Sequence, residues 1–469
     1  LALVTITVFT GQHLVPPMDR DESRFAQASR QMLKSGDYVT IRFQDELRAK
    51  KPAGIYWMQS ASAALLGEED IASYRFVNLL ALLASIFMLY HIGLQLYAPA
   101  IALAASAAFA CGFLVLAEAH LAKTDTVLML VVLVQQWALM RIYLDREKAI
   151  TKPSTDWIFF WIALAAGILV KGPISPAIAI LTITALVIWH RGAGWIRPLR
   201  LGRGLILLAL ITLPWAVLVT AATDGAFLDI AVNTDFLAKV QSGQESHGAP
   251  PLTYLALFGV LLWPASLLLP SALLHIKAML ARDSTRFLLA WLVPFWLTIE
   301  LIPTKLPHYP LPVVPAAILL LLWSVDRVVT LSPLRQKFYL AGQYVLLALG
   351  FGLVAAVIAF AVMFGGQSMR LAVALAVFTS LLVGLASWQG HRWIQTGEYL
   401  HLMALFIAGI LVHFTIFAGV VPQLSRIHMA DVVAQNLASS GRQPAAIAAA
   451  GYHEPSLVFL LGRDVLLVD

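Results

Sequence analysis

The feature that most limits how this chain folds is the recurrence of apolar runs about 20 residues long, the length a helix needs to cross the hydrocarbon core of a bilayer. Beyond a first run at Leu1–Phe9, such stretches are centred roughly on 73–97, 99–117, 124–144, 156–171, 173–189, 203–222, 252–275, 285–302, 309–325, 338–364, 370–388 and 400–421. They predict an all-α polytopic membrane protein of about thirteen transmembrane helices. The runs are continuous rather than alternating, which excludes a transmembrane β-barrel. Composition agrees, with 60% hydrophobic and 12% charged residues. The net charge of +6 does not call for nucleic acid, because Lys and Arg on cytoplasmic loops are what orients a bundle. The single cysteine, Cys111, excludes an intramolecular disulfide and a thiolate metal site. The opening Leu1–Phe9 stretch has no basic segment before it, so it reads as the outer half of a first helix whose start is missing rather than as a signal peptide.

Basic residues fall on alternate connections: Arg141, Arg146, Lys148 and Lys152; Arg191, Arg197, Arg200 and Arg203; Lys277, Arg282 and Arg286; Arg327, Arg335 and Lys337. With thirteen spans these share one side, which is then cytoplasmic. The first loop, the 223–251 loop, Pro303–His308 and the tail from Pro422 face the opposite side. The expected organisation is a transmembrane domain over 1–421, with a first extracytoplasmic loop over 11–72, and an incomplete extracytoplasmic segment over 422–469. In that tail, Ile447–Phe459 and Val465–Val468 have the strand–turn–helix character of a small α/β appendage.

The first loop carries eight bases between Asp19 and Lys51, on the side where short loops are poor in them; long loops translocate largely regardless of charge. Two of its segments read as interfacial helices, Asp21–Leu33 and Ile55–Leu66, the second holding Lys51 at headgroup level. Asp21 and Glu22 stand at the exit of the first span, where carboxylates serve either a helix N-terminus or chemistry. We assign Asp21 as a general base and Glu22 as its neighbour. In Ala119-His-Leu-Ala-Lys-Thr-Asp-Thr126, Thr124 or Asp125 either caps the next helix or, for Asp125, adds a second acid to the same vestibule. Lys171 reads as a snorkelling lysine. Lys305, His308 and Tyr309 put three polar donors in five residues and suggest an anion site. His247 is a candidate partner of the first-loop acids, without close metal-ligand spacing.

Asp21-Glu-Ser-Arg-Phe-Ala, Ser35-Gly-Asp-Tyr, Lys51-Pro-Ala-Gly-Ile-Tyr-Trp57, Leu121-Ala-Lys-Thr-Asp125, Leu169-Val-Lys-Gly-Pro173, His247-Gly-Ala-Pro, Lys305-Leu-Pro-His-Tyr309 and Gly451-Tyr-His-Glu-Pro-Ser456 occur in an order that resembles one family. It is that of the GT-C glycosyltransferases that use polyprenyl-phosphate sugars, the group of the lipid A aminoarabinose transferases and protein O-mannosyltransferases. The Lys-Pro-Ala-Gly-Ile-Tyr-Trp segment favours the aminoarabinose branch. The resemblance implies a GT-C bundle in a bacterial inner membrane, its active site facing the periplasm. It implies transfer of a sugar from a polyprenyl (undecaprenyl-like) phosphate to lipid A or a related glycolipid, with inversion. Asp21 and Asp125 are then catalytic, and Glu22, Arg24, Lys51, Tyr56, His247, Lys305, His308 and Tyr309 bind substrate. Where family members usually have Glu-Lys-Pro, with a glutamate able to join a histidine on a metal, this chain has Lys50; no metal or other cofactor is expected. The alternatives are a protein O-glycosyltransferase and, in another class, a lipid or sugar transporter or flippase, which charges deep in mid-span would favour.

Overall fold

The computed structural model describes residues 1–146, 155–231, 248–325, 333–441, 446–462 and 464–468. Its first helices are α1 (Ala2–Leu14), α2 (Asp21–Ser35), α3 (Gly54–Leu66), α4 (Ile71–Leu96), α5 (Pro99–Ala110), α6 (Phe113–Ala119), α7 (Asp125–Leu144), α8 (Asp156–Lys171), α9 (Ile174–His190) and α10 (Leu201–Ala222). Local chemistry sets several of their ends. The Asp70 side chain accepts the Ala72 N–H to open α4, as an N-cap does. Pro99 opens α5, where a missing N–H costs nothing. Gly36 closes α2 in the left-handed region.

Six helices among the described residues are by themselves long and apolar enough to cross a membrane, and two bent pairs would make eight. The pairs are α5 with α6, bent by 58°, and Thr253–Leu261 with Ala265–Leu274, bent by 110°. Each expected apolar stretch is helical, but several are too short or too bent to count as spans unaided, and the expected count of about thirteen is not reached on length and apolarity. α10 lies at the periphery, with only 6% of its apolar window buried; Leu205, Ile206, Leu210 and Val217 face outward, as on a lipid-facing helix. Lipid is as apolar as leucine, so helix contact depends on close backbone approach at small residues. Gly93 of α4 meets Ala102 of α5 in this way, with room for no larger side chain.

The two ends of the bundle differ. At one, Arg141 of α7 pairs with Asp156 of α8 at 3.0 Å, and Arg146 and Arg286 both reach Asp283. At the other, α2 and α3 pack on each other and on the ends of α4 and α8. Gln59 donates to the Ala122 carbonyl, Ser62 to that of Ser73, and Gly54 lies against the Leu169 backbone. A two-residue hairpin, β1 (Arg42–Phe43) with β2 (Glu46–Leu47), links α2 to α3. The tail forms a parallel pair, β3 (Ala448–Ala450) with β4 (Leu466–Val468), joined through the Pro455–Leu461 helix. This is the expected small α/β appendage, and it docks on α2.

Candidate active site

α2 begins with a turn tied down from three sides. The Glu22 carboxylate accepts Arg75 Nε at 2.8 Å and Nη2 at 2.7 Å, the Met18 N–H at 2.9 Å and the Ala122 N–H at 2.7 Å. The remaining Arg75 donors go to the carbonyls of Gln12, Val15 and Pro16. Both side chains are buried, so Glu22, expected beside the substrate, is instead a structural staple whose lone pairs are filled. Asp21 precedes it, exposed at the first turn of α2. Arg24, three residues on, shares its side of the helix and is half-buried.

Asp125, at the first residue of α7, is 4% exposed. Its carboxylate is paired with Lys171, the last residue of α8, so that lysine is not merely snorkelling. Beside them Lys123 Nζ lies 3.0 Å from Glu118 Oε2. His308 sits between the pairs, Nε2 3.7 Å from Asp125 and Nδ1 3.9 Å from Glu118. Burial alone would lower the Lys123 ammonium, but the Glu118, Asp125 and Asp21 carboxylates outweigh it and hold it above its usual range. Asp21 is therefore close enough to this cluster to act on it electrically. Burial pushes His308 well below the usual histidine value, with Asp125 opposing and Lys171, Lys123 and Lys51 reinforcing; the ring is neutral near pH 7. Thr124 makes no capping bond to α7.

Not all of the other expected site residues join this cluster. Tyr56 is fully buried and its hydroxyl accepts from Arg48 Nε at 3.0 Å, a packing role under α2 rather than a substrate contact. Lys305 donates to the carbonyls of Glu300 and Ile302 at the end of the Asp283–Leu301 helix; this is a helix C-cap, and it commits two of the three ammonium donors. Tyr309 is half-buried with its ring 5.3 Å from that of His308. Lys51, half-buried ahead of α3, contributes to the field at His308. His247 lies outside the described residues. His120 bonds the Leu116 carbonyl at 2.6 Å and stacks on Phe417.

Glu118 is the residue missed in the sequence. An acid inside the apolar Phe113–Ala119 run was the available signal. Glu118, Asp125 and His308 offer ligand atoms within 4.8 Å of one another, a spacing that could hold a metal ion. Each of the two acids already has an ammonium partner, Lys123 and Lys171, whose positive charge a cation bound there would have to overcome.

Residues 50–217 match the family model described as dolichyl-phosphate-mannose-protein mannosyltransferase. The chain is 27% identical over 358 residues to an undecaprenyl phosphate-alpha-4-amino-4-deoxy-L-arabinose arabinosyl transferase of Proteus mirabilis, covering 72% of this chain and 62% of that protein. To one of Aeromonas salmonicida it is 30% identical over 322 residues, covering 66% and 56%. The chain thus spans less than two thirds of the length of these relatives. The structure of ArnT from Cupriavidus metallidurans bound to undecaprenyl phosphate superposes with a TM-score of 0.82 at 19% identity, over 100% of this chain and 85% of that one. The chain is thus a multi-pass membrane protein with the GT-C fold of ArnT, similar in sequence to the aminoarabinose transferases and, over residues 50–217, to the protein mannosyltransferases.

Proposed function

We propose that this chain is a glycosyltransferase of the bacterial inner membrane. It moves a sugar from a polyprenyl phosphate, of the undecaprenyl type, to lipid A or a related glycolipid on the periplasmic face. The observation that carries this reading is that exposed Asp21 stands at the same end of the bundle as the Lys123–Glu118 and Lys171–Asp125 pairs, within electrostatic reach of Lys123 and opposite the Arg141, Arg146 and Arg286 cluster. The names of the relatives favour 4-amino-4-deoxy-L-arabinose as the sugar.

In the reaction the bond from the anomeric carbon to the phosphate oxygen breaks with its electrons passing to phosphate, and an acceptor oxygen attacks from the opposite face, which inverts the centre. Asp21 accepts the proton of an acceptor hydroxyl; an acceptor that is already ionised needs Asp21 only for orientation. Lys51 and Arg24 stabilise charge on the departing phosphate, a role for preorganised cations. Asp125 holds Lys171 and the neutral His308 at the floor of the site. The lysines supply the positive charge here, and the reaction needs no divalent metal. Lys305, once expected at the phosphate, has no part in this scheme. Residues 1–421 form the catalytic unit and 422–469 an extracytoplasmic appendage.

The test is transfer of labelled sugar from a panel of polyprenyl-phosphate sugars to purified lipid A, with Asp21→Asn and a chelator as separate arms. Transfer that survives chelator and is lost in Asp21→Asn supports the reading. Unchanged transfer in Asp21→Asn removes the base assignment, and loss with chelator removes the metal-free scheme. The match of residues 50–217 to a protein mannosyltransferase model makes a Ser/Thr peptide the second acceptor to include.

A further inference from the structure

The C-terminal appendage reaches the turn that carries Asp21. Ser456, fully buried, donates to Asp19 Oδ1, and the Tyr452 hydroxyl donates to Asp19 Oδ2 at 3.4 Å. The docking around this grip is extensive. Arg30 of α2 donates to the Phe459 carbonyl at 2.9 Å and lies 5.3 Å over the Phe459 ring; Gln44 donates to the Val465 carbonyl; Tyr74 meets Phe459 edge-on. Burial and the Asp19 carboxylate push the Tyr452 phenol up to about 12, so it remains a donor.

Between Asp19 and Asp21, Arg20 has φ 63° and ψ −115°. For a residue with a side chain that backbone is strained and persists only where its surroundings hold it. On the downstream side the hold is the Glu22 staple to Arg75 and Met18, with Ser23 Oγ donating to the Met18 carbonyl. Within the Met18–Ser23 loop so closed, Asp19 adds a further hold through its own side chain, from the appendage. Of the three acids in this turn, Asp19 and Glu22 are anchored and Asp21 is exposed.

We propose that Asp19 is a positioning residue: gripped by Ser456 and Tyr452, it holds the Arg20 turn and so aims Asp21, which makes the appendage part of the active site. This rests on the reading of Asp21 as the base. It also gives a task to the Gly451-Tyr-His-Glu-Pro-Ser456 segment, which the transfer chemistry leaves unused.

The experiment uses the full chain in lipid nanodiscs, with Asp19→Asn, Tyr452→Phe, Ser456→Ala and Ser456→Thr beside Asp21→Asn. Misplacing a reacting group by about 1 Å can cost 10²-fold. The expectation is a kcat lowered on the order of 10- to 100-fold in Ser456→Ala and Asp19→Asn, with KM for the polyprenyl-phosphate sugar within about twofold. Ser456→Thr, which keeps the hydroxyl, restores kcat, and the Asp19→Asn/Ser456→Ala pair is no worse than either alone. A spin label at Asp21→Cys in a Cys111→Ala background reads the same turn without catalysis; its spectrum sharpens when Ser456→Ala is added. An inactive Asp21→Asn with unchanged kcat in Ser456→Ala overturns the inference alone, as does an unchanged spin-label spectrum. A fall in kcat matched by a fall in Tm and not rescued by Ser456→Thr reduces Asp19 to a structural residue. An active Asp21→Asn removes the reading beneath the inference.

Discussion

The bundle end that carries Asp21 holds two kinds of ion pair, and their difference separates scaffold from site. Glu22 meets an arginine, whose rigid fork places all its N–H groups on fixed acceptors, two of them on the carboxylate. Asp125 and Glu118 meet lysines, point charges on flexible stems with three donors each. The arginine pair leaves nothing free for a ligand. The lysine pairs can turn a donor toward an incoming phosphate while keeping their carboxylates, and the neutral His308 between them adds no charge that a substrate would have to overcome.

Arg75→Ala should break this contrast most violently. It strands the Glu22 carboxylate in a dry interior, a loss of about 3–5 kcal/mol, and the expected outcome is protein that no longer elutes as a monodisperse peak in detergent. Arg75→Lys should fare little better, because an ammonium cannot reproduce the fork. Asp125→Asn should behave in the opposite way: monodisperse protein with kcat lowered on the order of 10²-fold, since the charge that orients Lys171 is gone. Glu118→Gln should cost less, about tenfold in kcat/KM, because Lys123 stays near Asp125 and Asp21. A loss equal to that of Arg75→Ala for either acid would show that the lysine pairs are scaffold too.

The smallest expected effect is on pH. His308 is held neutral by burial, so the unfolded chain binds a proton there below about pH 6.5 while the folded chain does not. Stability from this group is full above that pH and declines as pH falls. Thermal unfolding between pH 7.5 and 5 should show a decline that His308→Gln makes shallower. An identical slope in the variant would assign the acid sensitivity to another group.

Much of this was legible in the chain. The apolar runs locate the helices because each carries its own signal, and α2 and α3 begin at or within one residue of where they were expected, at Asp21 and Gly54. What escaped was pairing across distance. Arg75 finds Glu22 across 53 residues, and Lys171 finds Asp125 across 46; no periodicity links such partners. Lys305 misled because a helix-capping lysine and a phosphate-binding lysine look alike in one dimension, and only the Glu300 and Ile302 carbonyls tell them apart. Tyr56 misled for a related reason, since a tyrosine near a candidate phosphate-binding lysine can point into the packing behind it.

The contact of Gly54 with α8 has a consequence best put in the language of genetic suppression. A Cβ at position 54 would lie 2.7 Å from the Leu169 carbonyl oxygen and 2.9 Å from its carbon. Those are backbone atoms, so no exchange of side chain at 169 can retract them. An alanine at 54 is therefore a lesion without an allele-specific remedy at its point of contact. A revertant has to move one helix bodily, and because Lys51 precedes one helix and Lys171 ends the other, the shift would change the spacing of the two lysines along with it.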